Sequence, residues 1–240
     1  MTGQKVFCLL LAGVLGLGGT SYGMTTLRQS APAIARGYGA IEGRVLDEMG
    51  HPVSGAKVSS MILDYPPGRL FSSETDAQGR FSLRYARPGR NAVYVGKEDE
   101  YYPDTFLSPF VDAKLIPIVN VVEQAVTEAV EVRLPPKGGK LVAQVIDAET
   151  QQPVNGARMT FCKADDPTKC STINATSENA QFEKVVPPMR FTIKVSAPGY
   201  KDWYYKQGNS SVEQGKILLT SGSTKGLTIL LRPSGNKTTK

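Results

Sequence analysis

The chain states one motif twice. Ile41-Glu-Gly-Arg-Val-Leu-Asp47, a turn and Pro52-Val-Ser-Gly-Ala-Lys-Val58 return as Leu141-Val-Ala-Gln-Val-Ile-Asp147, a turn and Pro153-Val-Asn-Gly-Ala-Arg-Met159. Each copy then reaches a phenylalanine (Phe81, Phe182), a proline-containing turn (Arg87-Pro-Gly-Arg90, Pro187-Pro-Met-Arg190), an alternating strand and a glycine, Gly96 or Gly199. Five residues beyond that glycine each copy carries a tyrosine pair, Tyr101-Tyr102 and Tyr204-Tyr205. A residue type present in both copies is expected to hold up the fold, so function is to be sought in what the copies display.

The hydrophobic pattern has the period of a strand. Ile41, Gly43 and Val45 fall on one face and Glu42, Arg44 and Leu46 on the other. Val93 and Val95, Ile193 and Val195, Val130-Val132-Leu134 and Leu227-Ile229-Leu231 alternate in the same way. Breakers separate these runs at Glu48-Met-Gly-His-Pro52, Tyr65-Pro-Pro-Gly68, Asp76-Ala-Gln-Gly79 and Ala197-Pro-Gly199. Only Val121 to Ala129 has possible helical character. Short strands at this spacing predict an all-β chain with one antiparallel sandwich per copy, each long enough to bury its own core. Phe81 and Phe182 are the expected core anchors. Gly79 suits a turn needing positive φ, and Gly55-Ala56 and Gly156-Ala157 suit a close backbone approach at a strand entry.

Residues 1–23 read as a signal peptide: Lys5, an apolar run from Val6 to Leu17, then small residues ahead of a cut after Gly23. That run is shorter than the roughly twenty residues a membrane-spanning helix needs, and no other stretch is apolar enough; an uncleaved anchor is the alternative. Residues 24–38 read as an extended leader, 39–136 and 137–233 as the two sandwiches, and 234–240 as a disordered tail. The net charge of +6 is spread along the chain. A nucleic-acid groove needs a concentrated basic stripe with interleaved aromatics, so no nucleic acid is expected as a partner. The product is expected to be exported, to the periplasm or to the cell surface and exterior.

Cys8 lies in the signal segment, which leaves Cys162 and Cys170 on either side of Lys163-Ala-Asp-Asp-Pro-Thr-Lys169. Two strands joined through that turn bring the pair face to face, so a disulfide is expected, contributing about 2–3 kcal/mol for so short a loop.

Three runs together resemble the carboxypeptidase regulatory-like domain: Val45-Leu-Asp47, Pro52 to Val58, and Thr75-Asp-Ala-Gln-Gly-Arg-Phe-Ser-Leu83. The likeness covers most of 40–134 and, more weakly, 140–232, where Ser177-Glu-Asn-Ala-Gln-Phe182 replaces the Thr-Asp-x-x-Gly pattern. It implies a seven-stranded, transthyretin-like Greek-key sandwich for each copy, grouped with carbohydrate-binding-like folds. A fold of that kind confers no activity by itself.

Catalysis is hard to place. The sequence has a single histidine, His51, in a turn, whereas a zinc peptidase site needs two histidines and a carboxylate. There is no Gly-x-Ser-x-Gly elbow, and the acidic clusters Glu98-Asp99-Glu100 and Asp165-Asp166 lack the spacing of a calcium loop. The closing strands carry no asparagine for an isopeptide cross-link. No catalytic residue, cofactor or metal ligand is therefore assigned. The remaining candidates are aromatic: Trp203, Tyr204 and Tyr205, with Tyr101 and Tyr102 in the first copy. Flat rings stack on sugars or anchor protein partners, and Trp203 stands where the first copy has Glu100, so it is the leading contact residue. The expected function is an exported, non-catalytic binding or adhesion module that recognises carbohydrate; the alternative is a structural or scaffolding envelope protein that binds another protein, and an enzyme with an unrecognised site ranks last.

Overall fold

The computed structural model describes residues 33–66, 70–106, 109–175, 179–206 and 215–235. The expected signal peptide, most of the expected leader and the end of the tail lie outside the described residues. The first repeat contributes β1 (Gly39–Leu46), β2 (Lys57–Ile62), β3 (Ser72–Glu74), β4 (Arg80–Ala86), β5 (Gly89–Gly96), β6 (Ile118–Val121) and β7 (Val126–Arg133). These form two sheets, ordered β4-β1-β7 and β3-β2-β5-β6. The second repeat contributes β8 (Gly139–Asp147), β9 (Arg158–Lys163), β10 (Asp166–Asn174), β11 (Gln181–Val186), β12 (Arg190–Ser196), β13 (Trp203–Tyr204), β14 (Ile217–Leu218) and β15 (Thr224–Leu231). Its sheets are ordered β11-β8-β15 and β10-β9-β12-β13, with β14 also paired to β12.

The fold is all-β, and no α-helix occurs among the described residues. Val121 to Ala129, the stretch with possible helical character, is the end of β6, a turn and the start of β7. Its β-branched Val121, Val122, Val126 and Thr127 lose side-chain freedom in a helix and pack well on a pleated surface.

Strand direction departs from the antiparallel expectation. The last strand of each repeat lies parallel to the first: β7 beside β1 and β15 beside β8. Alternation of apolar residues reports which face a strand buries, not which way its neighbour runs, and so the sequence pattern is silent on this point.

Each repeat has its own cluster of buried side chains. Ile41, Val45, Val58, Phe81, Leu83, Val93, Val95 and Val132 build the first. Leu141, Val145, Met159, Phe161, Phe182, Phe191, Ile193 and Ile229 build the second. Phe81 and Phe182 are thus core anchors as expected. One member of the second cluster comes from the first repeat: Phe110 stacks on Phe161 at 5.5 Å and meets Phe191 edge-on at 5.2 Å. The second core is therefore not closed by its own repeat alone.

Gly79 has the expected positive φ, +70°. Gly55 and Gly156 have φ of +68° and +73°. A Cβ added at Gly156 would come no nearer than 3.9 Å to any atom. Left-handed backbone, rather than close approach, explains the glycine in Pro-Val-x-Gly-Ala. The cysteines are bonded: Cys162 and Cys170 face each other in the β9–β10 hairpin, and their sulfurs are joined.

Candidate functional site

The aromatic candidates occupy different environments. Trp203 pairs with Val195 across the β12–β13 edge, is half-buried against the second core, and meets Tyr205 at a ring distance of 6.4 Å. The leading contact residue of the sequence thus lays its indole against the core of its own repeat. Tyr204 points outward, 41% exposed, with the Lys194 ammonium 5.8 Å from its ring centre. Tyr205 is half-buried on the same core.

Tyr101 and Tyr102 sit elsewhere, at the joint between the repeats. Tyr101 closes the one-turn helix Glu98–Glu100 in left-handed conformation, with φ of 67°. Its carbonyl accepts the Gly138 N–H at 2.7 Å, and its hydroxyl is 3.1 Å from Thr224 Oγ1. Lys140 lies 5.9 Å from its ring, and Lys137 lies 4.9 Å from the ring of Tyr102, which is buried in the first core. Glu98 Oε1 meets Lys184 Nζ of β11 at 2.7 Å. Thus the segment after β5 docks on the start of β8 and on β11 and β15, and Phe110 continues it into the second core. Equal spacing in sequence made Tyr101-Tyr102 and Tyr204-Tyr205 look equivalent, but they are not. Tyr200 donates its hydroxyl to Asp147 at 2.8 Å, and burial first, then the negative charge of Asp47, raise the pKa of Tyr102.

The loop acids are occupied by neighbours. Lys97, only 9% exposed, places Nζ 2.9 Å from Asp99 and 3.4 Å from Glu100. The hydrogen bond to Asp99 holds the Lys97 ammonium protonated beyond the usual range and lowers the Asp99 carboxyl in turn. A groove of about 440 Å³ runs beside this cluster, lined by Lys57, Lys97, Asp104, Phe106 and Lys184. His51 is a turn residue, its ring 3.3 Å from Asp47.

Asp47 and Asp147 are the acids that the repeat keeps. Asp147 is buried and accepts the amides of Glu149 and Thr150 at 2.7 and 3.0 Å. The Thr150 amide, then the Tyr200 hydroxyl, then the Glu149 amide lower its pKa against the cost of burial. A carboxyl lowered in the folded state adds stability in full above its unfolded value, near 3.9. That contribution is lost as pH falls through the folded value. We expect Asp147→Asn to lower the unfolding temperature at neutral pH and to flatten the acid limb below about pH 4. Identical acid limbs in the two proteins would contradict this role.

An aromatic cluster that the sequence reading passed over stands at the end of the first repeat where β1 begins. Tyr38, Phe71 and Tyr85 meet pairwise, with ring distances of 6.2 Å (Tyr38–Phe71), 5.7 Å (Tyr38–Tyr85) and 5.0 Å (Phe71–Tyr85). Tyr85 is 47% exposed, and Val122 and Val126 beside the start of β1 are 58% and 39% exposed. The backbone explains why Tyr85 faces out. Gly39 pairs with Ala86 but Ile41 pairs with Leu83, so β4 carries one extra residue opposite Ala40. Phe81 and Leu83 point inward, and simple alternation would send Tyr85 inward too. The bulge turns it to solvent. In the second repeat β11 pairs with β8 without any shift. The only signal in the sequence was the additional residue between Phe81 and the Arg87-Pro-Gly-Arg90 turn.

No family model matches the chain, and no curated protein matches it. Three solved structures show its level of likeness. The shaft pilin SpaA from Lactobacillus rhamnosus GG is 10% identical, with 82% of this chain and 98% of that chain covered and a TM-score of 0.32. GBS52, the minor pilin of Streptococcus agalactiae, is 12% identical, with 84% and 99% covered and a TM-score of 0.30. The Bacillus anthracis TIE protein is 14% identical, with 82% and 34% covered and a TM-score of 0.33. This chain therefore spans about a third of the TIE protein's length. Superpositions this loose carry no conclusion about fold or function.

Proposed function

We propose that this is an exported, non-catalytic binding or adhesion module that recognises a protein at the cell envelope through the Tyr38–Phe71–Tyr85 end of its first repeat. The observation behind this reading is that cluster: three aromatic rings and two valines gathered at one end, with a bulge aiming Tyr85 at solvent. Exposed aromatics of this kind are enriched at protein interfaces. Export fits the Cys162–Cys170 disulfide, since such bonds persist in oxidising compartments. The resemblance to carboxypeptidase regulatory-like domains, with sandwiches at 39–136 and 137–233, fits the same reading. Carbohydrate recognition through Trp203 to Tyr205 is the weaker alternative, because Trp203 is committed to its own core. The first cluster suits a sugar poorly as well: Tyr38 meets both partners at 78° and 85°, so the rings do not lie side by side as a flat platform.

The test is a photoreactive phenylalanine analogue at position 85, irradiated in the producing cell, beside a glycan-array screen of the purified protein. A discrete protein adduct with a silent array is the expected result. Specific glycan binding that disappears in Trp203→Ala, with no protein adduct from position 85, would replace this reading with carbohydrate recognition.

A further inference from the structure

We propose that Asn155 is a site of spontaneous covalent modification, at which the chain's own Gly156 nitrogen converts the asparagine through a cyclic imide into aspartate and isoaspartate. Asn155-Gly156 is the one asparagine–glycine step in the sequence, and it falls in the Pro-Val-x-Gly-Ala turn that both repeats carry. Both residues are exposed. The first repeat has Ser54 in that place, so one copy of the turn carries the reactive carboxamide and the other does not.

The two copies also differ in how the turn is held. In the first repeat Thr75 clamps it. The Thr75 hydroxyl donates to the Val53 carbonyl at 2.6 Å and accepts the Ala56 amide at 2.8 Å, and the Thr75 carbonyl accepts the Gly55 amide at 3.0 Å. Thr75 is itself buried, and its own amide donates to the Ala56 carbonyl at 3.0 Å. The same bond in the second repeat runs from the Ala175 amide to the Ala157 carbonyl, also at 3.0 Å. Ala175 therefore stands where Thr75 stands, and it has no hydroxyl to clamp with. Among the described residues no hydrogen bond holds the Gly156 amide or the Asn155 carboxamide. Space differs in the same sense. The Lys97 ammonium lies 3.2 Å from where a Cβ on Gly55 would be, whereas the nearest atom to that point on Gly156 is Pro198 Cδ at 3.9 Å.

The reaction needs no partner but water. The Gly156 nitrogen gives its proton to hydroxide and attacks Asn155 Cγ. A C–N bond forms, and the side-chain nitrogen takes a proton from water and leaves as ammonia. Water then adds to one carbonyl of the imide. Addition at Cγ restores the ordinary backbone and leaves aspartate; addition at the Asn155 backbone carbonyl leaves isoaspartate, with the chain running through Cβ and Cγ. Nothing is oxidised or reduced: water enters and ammonia departs. A hydrogen bond from the glycine amide opposes the first step, because the proton it donates is the one to be removed. Gly55 makes that bond and Gly156 does not. The isoaspartyl form lengthens the backbone directly before Ala157, which is fully buried and anchors Ala175.

The experiment incubates the purified full chain at neutral and mildly alkaline pH and follows every asparagine by peptide mass spectrometry, with an isoaspartyl methyltransferase to count isoaspartate. Asn155 should convert ahead of the other asparagines, and faster as pH rises. Ser54→Asn creates the same step in the clamped turn, at an exposed position that leaves the core untouched. It should convert about tenfold more slowly than Asn155, the weight of roughly one held hydrogen bond on the barrier. An Asn155 that converts no faster than the other asparagines overturns the proposal. A Ser54→Asn site that converts as fast as Asn155 would show that the dipeptide alone sets the rate, and would overturn the part given to the unclamped turn.

Discussion

Replacing Phe110 with alanine is expected to destabilise the second repeat, although the residue belongs to the first. Phe110 is 8% exposed and packs between Phe161 and Phe191. Truncating a buried phenylalanine costs about 3–5 kcal/mol, the lost transfer energy plus the cavity left behind. The chain contains its own reporter, because Trp203, the single tryptophan, is packed against that same core. Guanidinium unfolding followed by Trp203 fluorescence should show a loss of at least about 3 kcal/mol in Phe110→Ala. Phe106→Ala is the control. Phe106 lies close in the chain but is 48% exposed and touches Tyr94 rather than the second core. Its effect on the Trp203 transition should stay below about 1 kcal/mol. Equal effects in the two variants would mean that Phe110 does not close the second core. The same logic predicts that the second repeat expressed alone, beginning at residue 137, is less stable than within the whole chain.

That residue marks the limit of what the sequence made legible. The repeat, the all-β class, the disulfide and the core anchors were readable because each leaves a local trace: an alternation, a spacing, a recurring phenylalanine. Phe110 leaves none. It lies between the tyrosine pair and β6 in a segment without period, and its partners Phe161 and Phe191 are far along the chain. The tyrosine pairs misled for a related reason. Equal spacing from Gly96 and Gly199 suggested equivalence, yet the backbone takes different paths beyond the two glycines: a left-handed turn at Tyr101, a strand at Trp203–Tyr204. The Tyr38–Phe71–Tyr85 cluster was hidden because it joins three separate elements and depends on a bulge. A bulge inverts the inward and outward assignment that alternation supplies, so the residue most exposed was the one that pattern would have buried. Trp203 drew attention through its rarity in the composition, but a large flat ring at a sheet edge is as useful for covering a core as for meeting a ligand.

The joint itself rests on a glycine, and Gly138→Ala is expected to break it. A Cβ at that position would lie 2.0 Å from the Val186 carbonyl oxygen and 3.0 Å from Pro103 Cγ, so both the neighbouring strand and the docked segment would have to move. The first repeat supplies a natural comparison. The corresponding residue there is Tyr38, whose carbonyl accepts the Gln124 amide as that of Gly138 accepts the Gly222 amide, and it carries a large side chain. One condition differs: β4 has the bulge that β11 lacks. A side chain at this position thus goes with a displaced β-strand, which the second repeat lacks. Forcing backbone apart at a packed site costs roughly 1–3 kcal/mol and more where relief is blocked on two sides. We expect about 3 kcal/mol for Gly138→Ala. The loss should appear in the Trp203 transition, with faster hydrogen exchange at the Gly138 and Tyr101 amides. A variant as stable as the parent, with those amides still protected, would show that the joint yields easily. A large loss, with the first core intact, would establish that an unbulged, glycine-bearing end is shaped to be covered.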